Sequence, residues 1–126
     1  MPKYLVIRFS SIGDIVLTSP VVRMLKKQVP NAEVHFLTKK NFESVVKNNP
    51  NIDKVWTTDG SIKDVLPDLK KEQFDEIIDL HANLRTWRIK SKLKVKSTSF
   101  NKLNFFNWFL DGGKYSVKLP LWHYSR

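Results

Sequence analysis

Lys3-Tyr4-Leu5-Val6-Ile7-Arg8-Phe9, followed by Ser10-Ser11-Ile12-Gly13-Asp14, is the stretch that decides the fold. Residues 3–9 form an almost continuous apolar run, the pattern of a parallel strand buried on both faces. Residues 10–14 make a short turn, and beyond it Ile15, Val16, Val22, Leu25 and Val29 recur at roughly helical spacing. Strand, turn and helix in that order are the first unit of an alternating α/β chain. Pro20 falls inside the helical pattern and lacks the N–H that a helix interior needs, which predicts a kink or a break there. Pro30-Asn31 ends the unit.

The same alternation continues outward. Residues 33–38 read as a second strand, with Val34, Phe36 and Thr38 alternating against His35 and Leu37. Residues 41–47 read as a short helix stopped by Asn48-Asn49-Pro50, and residues 54–57 as a third strand. Ser61, with Asp64 three residues on, is a variant of the capping pattern and opens another helix. Residues 75–80 form the fourth strand, residues 83–92 a helix and residues 94–100 a fifth strand. Residues 102–110 read as a very aromatic helix terminated by Asp111-Gly112-Gly113. Such units predict a doubly wound, Rossmann-like parallel sheet in the order 3-2-1-4-5, with right-handed crossovers.

A chain of 126 residues, 41% of them apolar, is sized for one packed domain, and none of it is repeated or low-complexity. The absence of cysteine excludes disulfides and thiolate metal sites and fits a reducing compartment. The first apolar run is cut by Arg8, too early for a signal-peptide core and far too early for a bilayer span, so the chain reads as soluble and cytoplasmic. A net charge of +10 favours acidic partners: phosphorylated sugars, anionic lipid head groups or nucleic acid. Nucleic acid is the weakest of these, because no basic-plus-aromatic recognition motif of a known kind is present.

In an open parallel sheet, ligands bind outside the carboxyl ends of the strands where the strand order reverses. For the order 3-2-1-4-5 that place lies between strands 1 and 4, which singles out residues 10–14 and 79–85. In the first segment Gly13 can take a positive φ and let a ligand approach the backbone. Ser10 and Ser11 offer hydroxyls, and the following helix offers unpaired N–H groups that suit an anion. Asp14 runs against that chemistry, since an acid repels a phosphate. The dinucleotide fingerprint and the P-loop lysine are both missing. Asp14 is then either a first-turn acid favoured by the helix dipole or a general base that orients an acceptor hydroxyl.

In the second segment Asp79 and His81 share a face if the strand runs on to His81, and Arg85 follows by one helical turn. His81 and Arg85 can converge on one anionic group, Arg through its planar fork; the plainer reading is a capped helix start with a solvated Arg. Arg85, Arg88, Lys90, Lys92, Lys94, Lys96 and Lys102 are either a solvated face or an approach to an acidic acceptor or membrane surface. Phe105, Phe106, Trp108 and Phe109 read as core or interface rather than as a lipid anchor. His35 and His123 are lone histidines without metal-ligand spacing, and no metal site is expected.

The run from Tyr4 to Pro20, Tyr-Leu-Val-Ile-Arg-Phe-Ser-Ser-Ile-Gly-Asp-Ile-Val-Leu-Thr-Ser-Pro, resembles the opening of glycosyltransferase family 9, which contains the ADP-heptose:lipopolysaccharide heptosyltransferases. Phe36-Leu37-Thr38-Lys39-Lys40-Asn41-Phe42, Asn49-Pro50-Asn51-Ile52-Asp53-Lys54-Val55, Phe74-Asp75-Glu76-Ile77-Ile78-Asp79-Leu80-His81 with Arg85, and Phe100-Asn101-Lys102 extend the similarity along nearly the whole chain. The resemblance implies an inverting enzyme of the two-domain GT-B type. Its N-terminal domain holds the acceptor, a Kdo or heptose residue of the lipopolysaccharide inner core on lipid A, and its C-terminal domain holds ADP-heptose. Asp14 would be the catalytic base, with Ser10, Ser11 and Gly13 shaping the turn beside the donor sugar. His81, Arg85 and Lys102 would contact an acceptor carboxylate or phosphate.

No metal or other cofactor is implied, and the setting would be the cytoplasm at the inner face of the membrane. Such an enzyme is roughly two to three times this length. Residues 1–126 are therefore expected to be a single Rossmann-like acceptor-side domain without its donor-binding partner domain, inactive by itself. The alternative is a stand-alone module that binds acidic glycolipid without chemistry.

Overall fold

The structure, a computed structural model, describes residues 2–9, 12–59, 61–81 and 84–99. Five strands, β1 (Lys3–Ile7), β2 (Glu33–Lys39), β3 (Lys54–Thr58), β4 (Glu76–Asp79) and β5 (Lys96–Ser99), form one sheet in the order β3-β2-β1-β4-β5. All four neighbouring pairs are parallel. This is the strand order expected from the sequence.

β1 is central because it is apolar on both sides. Tyr4 and Val6 enter a core with α1 (Ile12–Val16), α2 (Ser19–Gln28) and α3 (Glu43–Lys47), where Ile15, Val21, Val22, Leu25 and Val46 meet them. Leu5, Ile7 and Phe9 enter a second core on the opposite face. There α4 (Leu66–Glu72) and α5 (Leu84–Leu93) contribute Leu69, Ile89 and Leu93. The crossovers before β3 lie on one face and those after it on the other, so the helices change sides at β1.

The long first helix is two helices. Leu17 and Thr18 break it, and Pro20 falls in the first turn of α2, where its missing N–H costs nothing. The Thr18 hydroxyl turns back to donate to the Ile15 carbonyl at 2.6 Å. The helix expected from Ser61 likewise begins as a short 3-10 turn (Ile62–Asp64), with the Ser61 hydroxyl accepting from the Lys63 N–H, before α4 starts beside Pro67. β4 and β5 are shorter than the sequence pattern implied, and Lys94 takes a left-handed φ of 53° in place of a strand conformation.

Two aspartates repeat one device at the amino edge of the sheet. Asp75, just before β4, donates its N–H to the Lys3 carbonyl and accepts the Lys3 N–H on its carboxylate at 2.7 Å. Asp53, just before β3, does the same with Val34, and also takes the Lys26 ammonium at 2.6 Å. Each thereby fixes the register of a parallel pair at its first residue.

Burial works against the charged form of Asp53, but the hydrogen bonds from Lys26 and Val34 outweigh it and hold the carboxyl below its ordinary 3.8. A lowered folded-state value contributes stability that is present above 3.8 and is lost as pH falls through it. Asp53→Asn should cost on the order of 0.5 kcal/mol near neutrality, as expected for a largely exposed pair. Urea unfolding at neutral and acid pH should show that gap closing below the ordinary carboxylate range.

Candidate active site

The hydrogen-bond ladder runs one residue past the ends of β1 and β4. Arg8 donates its N–H to the Leu37 carbonyl at 3.2 Å, and Leu80 donates to the Ile7 carbonyl at 3.0 Å. The pairing Ile7↔Asp79 places Arg8 beside Leu80. From there the Arg8 guanidinium spans the switch point: Nη1 donates to the Leu80 carbonyl at 2.8 Å and Nη2 to Asp14 Oδ2 at 2.9 Å. The side chains of Arg8 and Asp14 are only 14% and 20% exposed, so salt screens their attraction less than that of a surface pair.

Asp14 lies in the first turn of α1. The helix-dipole placement and the switch-point placement therefore hold together. Arg8 is the residue that the sequence reading passed over. Its signal was the interruption of an apolar strand by one cation where the strand leaves the core.

Gly13 lies within α1 and does not use the positive φ open to a glycine; a Cβ added there would meet nothing within 4 Å. The fold itself does not require this glycine. It leaves the backbone beside Asp14 open to close approach.

β4 stops at Asp79 and does not run on to His81. The reason is Asp79 itself, fully buried, whose Oδ1 accepts the His81 N–H at 3.0 Å and turns the chain. Asp79 Oδ2 meets Lys90 Nζ, from α5, at 3.0 Å. Lys90 thus leaves the basic face read from the sequence, whereas Arg88, Lys92, Lys94 and Lys96 are exposed as a solvated face would be. The His81 ring packs edge-on against Phe9, 5.3 Å between centroids. Ser10, Ser11, Lys102, His123 and the aromatic helix lie outside the described residues, as does the side chain of Arg85.

His35 is not a lone histidine. Buried among β2, β3 and the end of α4, its Nε2 faces the Glu33 carboxylate, its Nδ1 accepts from Trp56 Nε1 at 2.9 Å, and Phe74 meets it edge-on. Glu33, His35 and Glu72 come close enough to share an ion. The proton arrangement opposes one. With Nδ1 held as an acceptor, Nε2 carries the proton of neutral imidazole, and a metal at Nε2 would move that proton to Nδ1, against the indole N–H. Glu72 is meanwhile held by Lys3, whose hydrogen bond lowers its pKa, and by Lys54.

Among the described residues, open clefts also lie elsewhere. One, of about 380 Å³, has an apolar floor including Ile15, Phe36 and Ile52 and a rim of Asn48, Asn49 and Asn51. Another, of about 440 Å³, lies at the amino edge of the sheet around Lys26 and Asp53. Neither is lined by Arg8, Asp14 or His81. The switch point remains the stronger candidate because an ion pair of the β1–α1 segment meets the main chain that leaves β4 there, where strand order reverses. Among the described residues, no helix is long and apolar enough to cross a membrane.

An α/β domain with an acid poised at the switch point is a common frame for enzymes that act on nucleotides and sugars, and comparison with known proteins narrows it. No family model matches the chain. It is 26% identical to lipopolysaccharide heptosyltransferase 1 of Campylobacter coli, over 79% of this chain and 31% of that protein. Its fold is similar to that of a glycosyltransferase family 9 protein from Veillonella parvula, with a TM-score of 0.72 at 25% identity, covering 85% of this chain and 34% of the other. ADP-heptose lipopolysaccharide heptosyltransferase II of E. coli shares the fold at a TM-score of 0.71 and 16% identity, over 82% of this chain and 32% of that one. The resemblance to glycosyltransferase family 9 read from the sequence is thereby borne out. The chain spans about a third of the length of the relatives it matches.

Asp79 and Lys90 make a separate, structural prediction. Asp79→Ala strands a partly buried ammonium and removes the acceptor of the His81 N–H, and should cost about 3 kcal/mol in urea unfolding. Asp79→Asn, which keeps an acceptor oxygen, should cost less. Equal stability of Asp79→Ala and the unaltered chain would show that this pair holds nothing.

Proposed function

We propose that the chain is the acceptor-side domain of an inverting heptosyltransferase of the GT-B type, with Asp14 as its catalytic base. The observation that carries this reading is the half-buried Asp14 carboxylate at the β1/β4 switch point, held there by Arg8. Similarity to a lipopolysaccharide heptosyltransferase supports the substrate class. The acceptor would be an inner-core sugar of lipopolysaccharide, of the Kdo–lipid A type, and the donor ADP-heptose bound by a second domain. The net charge of +10 suits such an acidic, membrane-associated acceptor.

In this reading the acceptor hydroxyl gives its proton to Asp14 as its oxygen bonds to the anomeric carbon of the heptose. The bond from that carbon to the diphosphate breaks, ADP leaves with the electron pair, and the anomeric configuration inverts. Ser10, Ser11 and the open backbone at Gly13 would border the donor sugar. His81, Arg85 and Lys102 would hold the acceptor's carboxylate or phosphate. The step uses no metal ion or other cofactor; cations of the donor half would neutralise the leaving diphosphate. Without that half, the base has no activated carbon to serve.

Asp14→Asn in the enzyme carrying both domains should lower kcat by about 10²–10⁴-fold, the range for loss of a general base, with acceptor binding retained. The 126-residue chain by itself should release no ADP from ADP-heptose in the presence of acceptor. An active Asn variant would refute the assignment of Asp14.

A further inference from the structure

We propose that Arg8 is the positioning residue of this site, aiming the Asp14 carboxylate across the gap between β1 and β4. The proposal rests on the reading of Asp14 as base. A guanidinium is planar and rigid, so fixing one end fixes the direction of the other. Nη1 is fixed on the Leu80 carbonyl, main chain of the segment that leaves β4, and Nη2 then points at Asp14, on the helix that follows β1. One side chain thereby sets the distance between the two segments that flank the gap.

Two details separate this from an ordinary ion pair. Arg8 meets Asp14 through one hydrogen bond to one oxygen, Oδ2, not through the two-pronged contact that engages both carboxylate oxygens. That contact fixes the direction of one carboxylate oxygen. The third nitrogen of the guanidinium group, Nε, is buried and has no partner among the described residues. Arg8 sits where its two outer nitrogens serve Leu80 and Asp14.

Lysine keeps the charge and most of the length but cannot hold two acceptors along a fixed line. Arg8→Lys should therefore fold as the parent does, yet misplace Asp14. Its kcat in the two-domain enzyme should fall by about 100-fold, the scale of a small misplacement of a reacting group, with KM for the acceptor nearly unchanged. Free methylguanidine should restore part of the activity of Arg8→Ala and none of Arg8→Lys, whose ammonium fills the space.

In the ¹⁵N-labelled 126-residue chain, the Nη protons of Arg8 should resolve as separate signals, because both ends of the fork are held. Asp14→Ala should average the Nη2 pair. Averaged Arg8 signals in the unaltered chain would overturn the clamp without touching the base assignment. Full kcat in Arg8→Lys, with Asp14→Asn inactive, would overturn the positioning role and leave Asp14 as base. Activity in Asp14→Asn would remove the base, and this role for Arg8 with it.

Discussion

The reversal of strand order at β1 is the constraint from which the rest follows. β1 pairs in parallel with β2 on one side and β4 on the other, and the helices that leave it cover one face while those after β3 cover the opposite face. At the carboxyl end of the sheet the chain therefore diverges, and the ends of β1 and β4 border the crevice of the switch point. Whatever polar groups stand at those two ends face each other across it. Arg8 is the bond across the gap: it extends the β1 ladder by one residue, then ties the main chain after β4 to the acid that follows β1.

The two ends of the sheet are managed differently. At the amino edge, Asp75 and Asp53 are bound by the backbone of the neighbouring strand and serve register. At the carboxyl edge, Asp79 is buried, bound to the His81 N–H and to Lys90, and serves the turn out of β4. Asp14 differs from all of these. It accepts a hydrogen bond from Arg8, a side chain that is itself anchored on the main chain after β4. That fixed direction is what a base acting on an incoming hydroxyl needs.

Strand order and the faces of the helices were legible because apolar runs and their breaks carry them: Tyr4 to Ile7 for the central strand, Pro20 for the break between α1 and α2. Asp14 and the segment after β4 were legible because topology alone marks the switch point. Arg8 was hidden, since a cation at a strand end is common and its partners, Leu80 and Asp14, are set by register and by a turn. Lys90 was misread with the other basic residues for a related reason: helical spacing does not reveal that Asp79 draws one lysine of the series inward. The His35–Trp56 contact is likewise tertiary, joining β2 to β3, whereas Glu33 and His35 are two residues apart in one strand.

The central claim is that the β1/β4 switch point, and not the cleft on the helical face or the one at the amino edge, receives the acceptor. Amide chemical-shift mapping of the 126-residue chain during titration with a soluble Kdo-containing inner-core oligosaccharide tests it directly. The account predicts saturable shifts at Gly13, Asp14 and His81, abolished at high salt as the acidic ligand is screened. Shifts confined to residues 45–52, around the asparagine-rimmed cleft, with Asp14 and His81 unmoved, would contradict it.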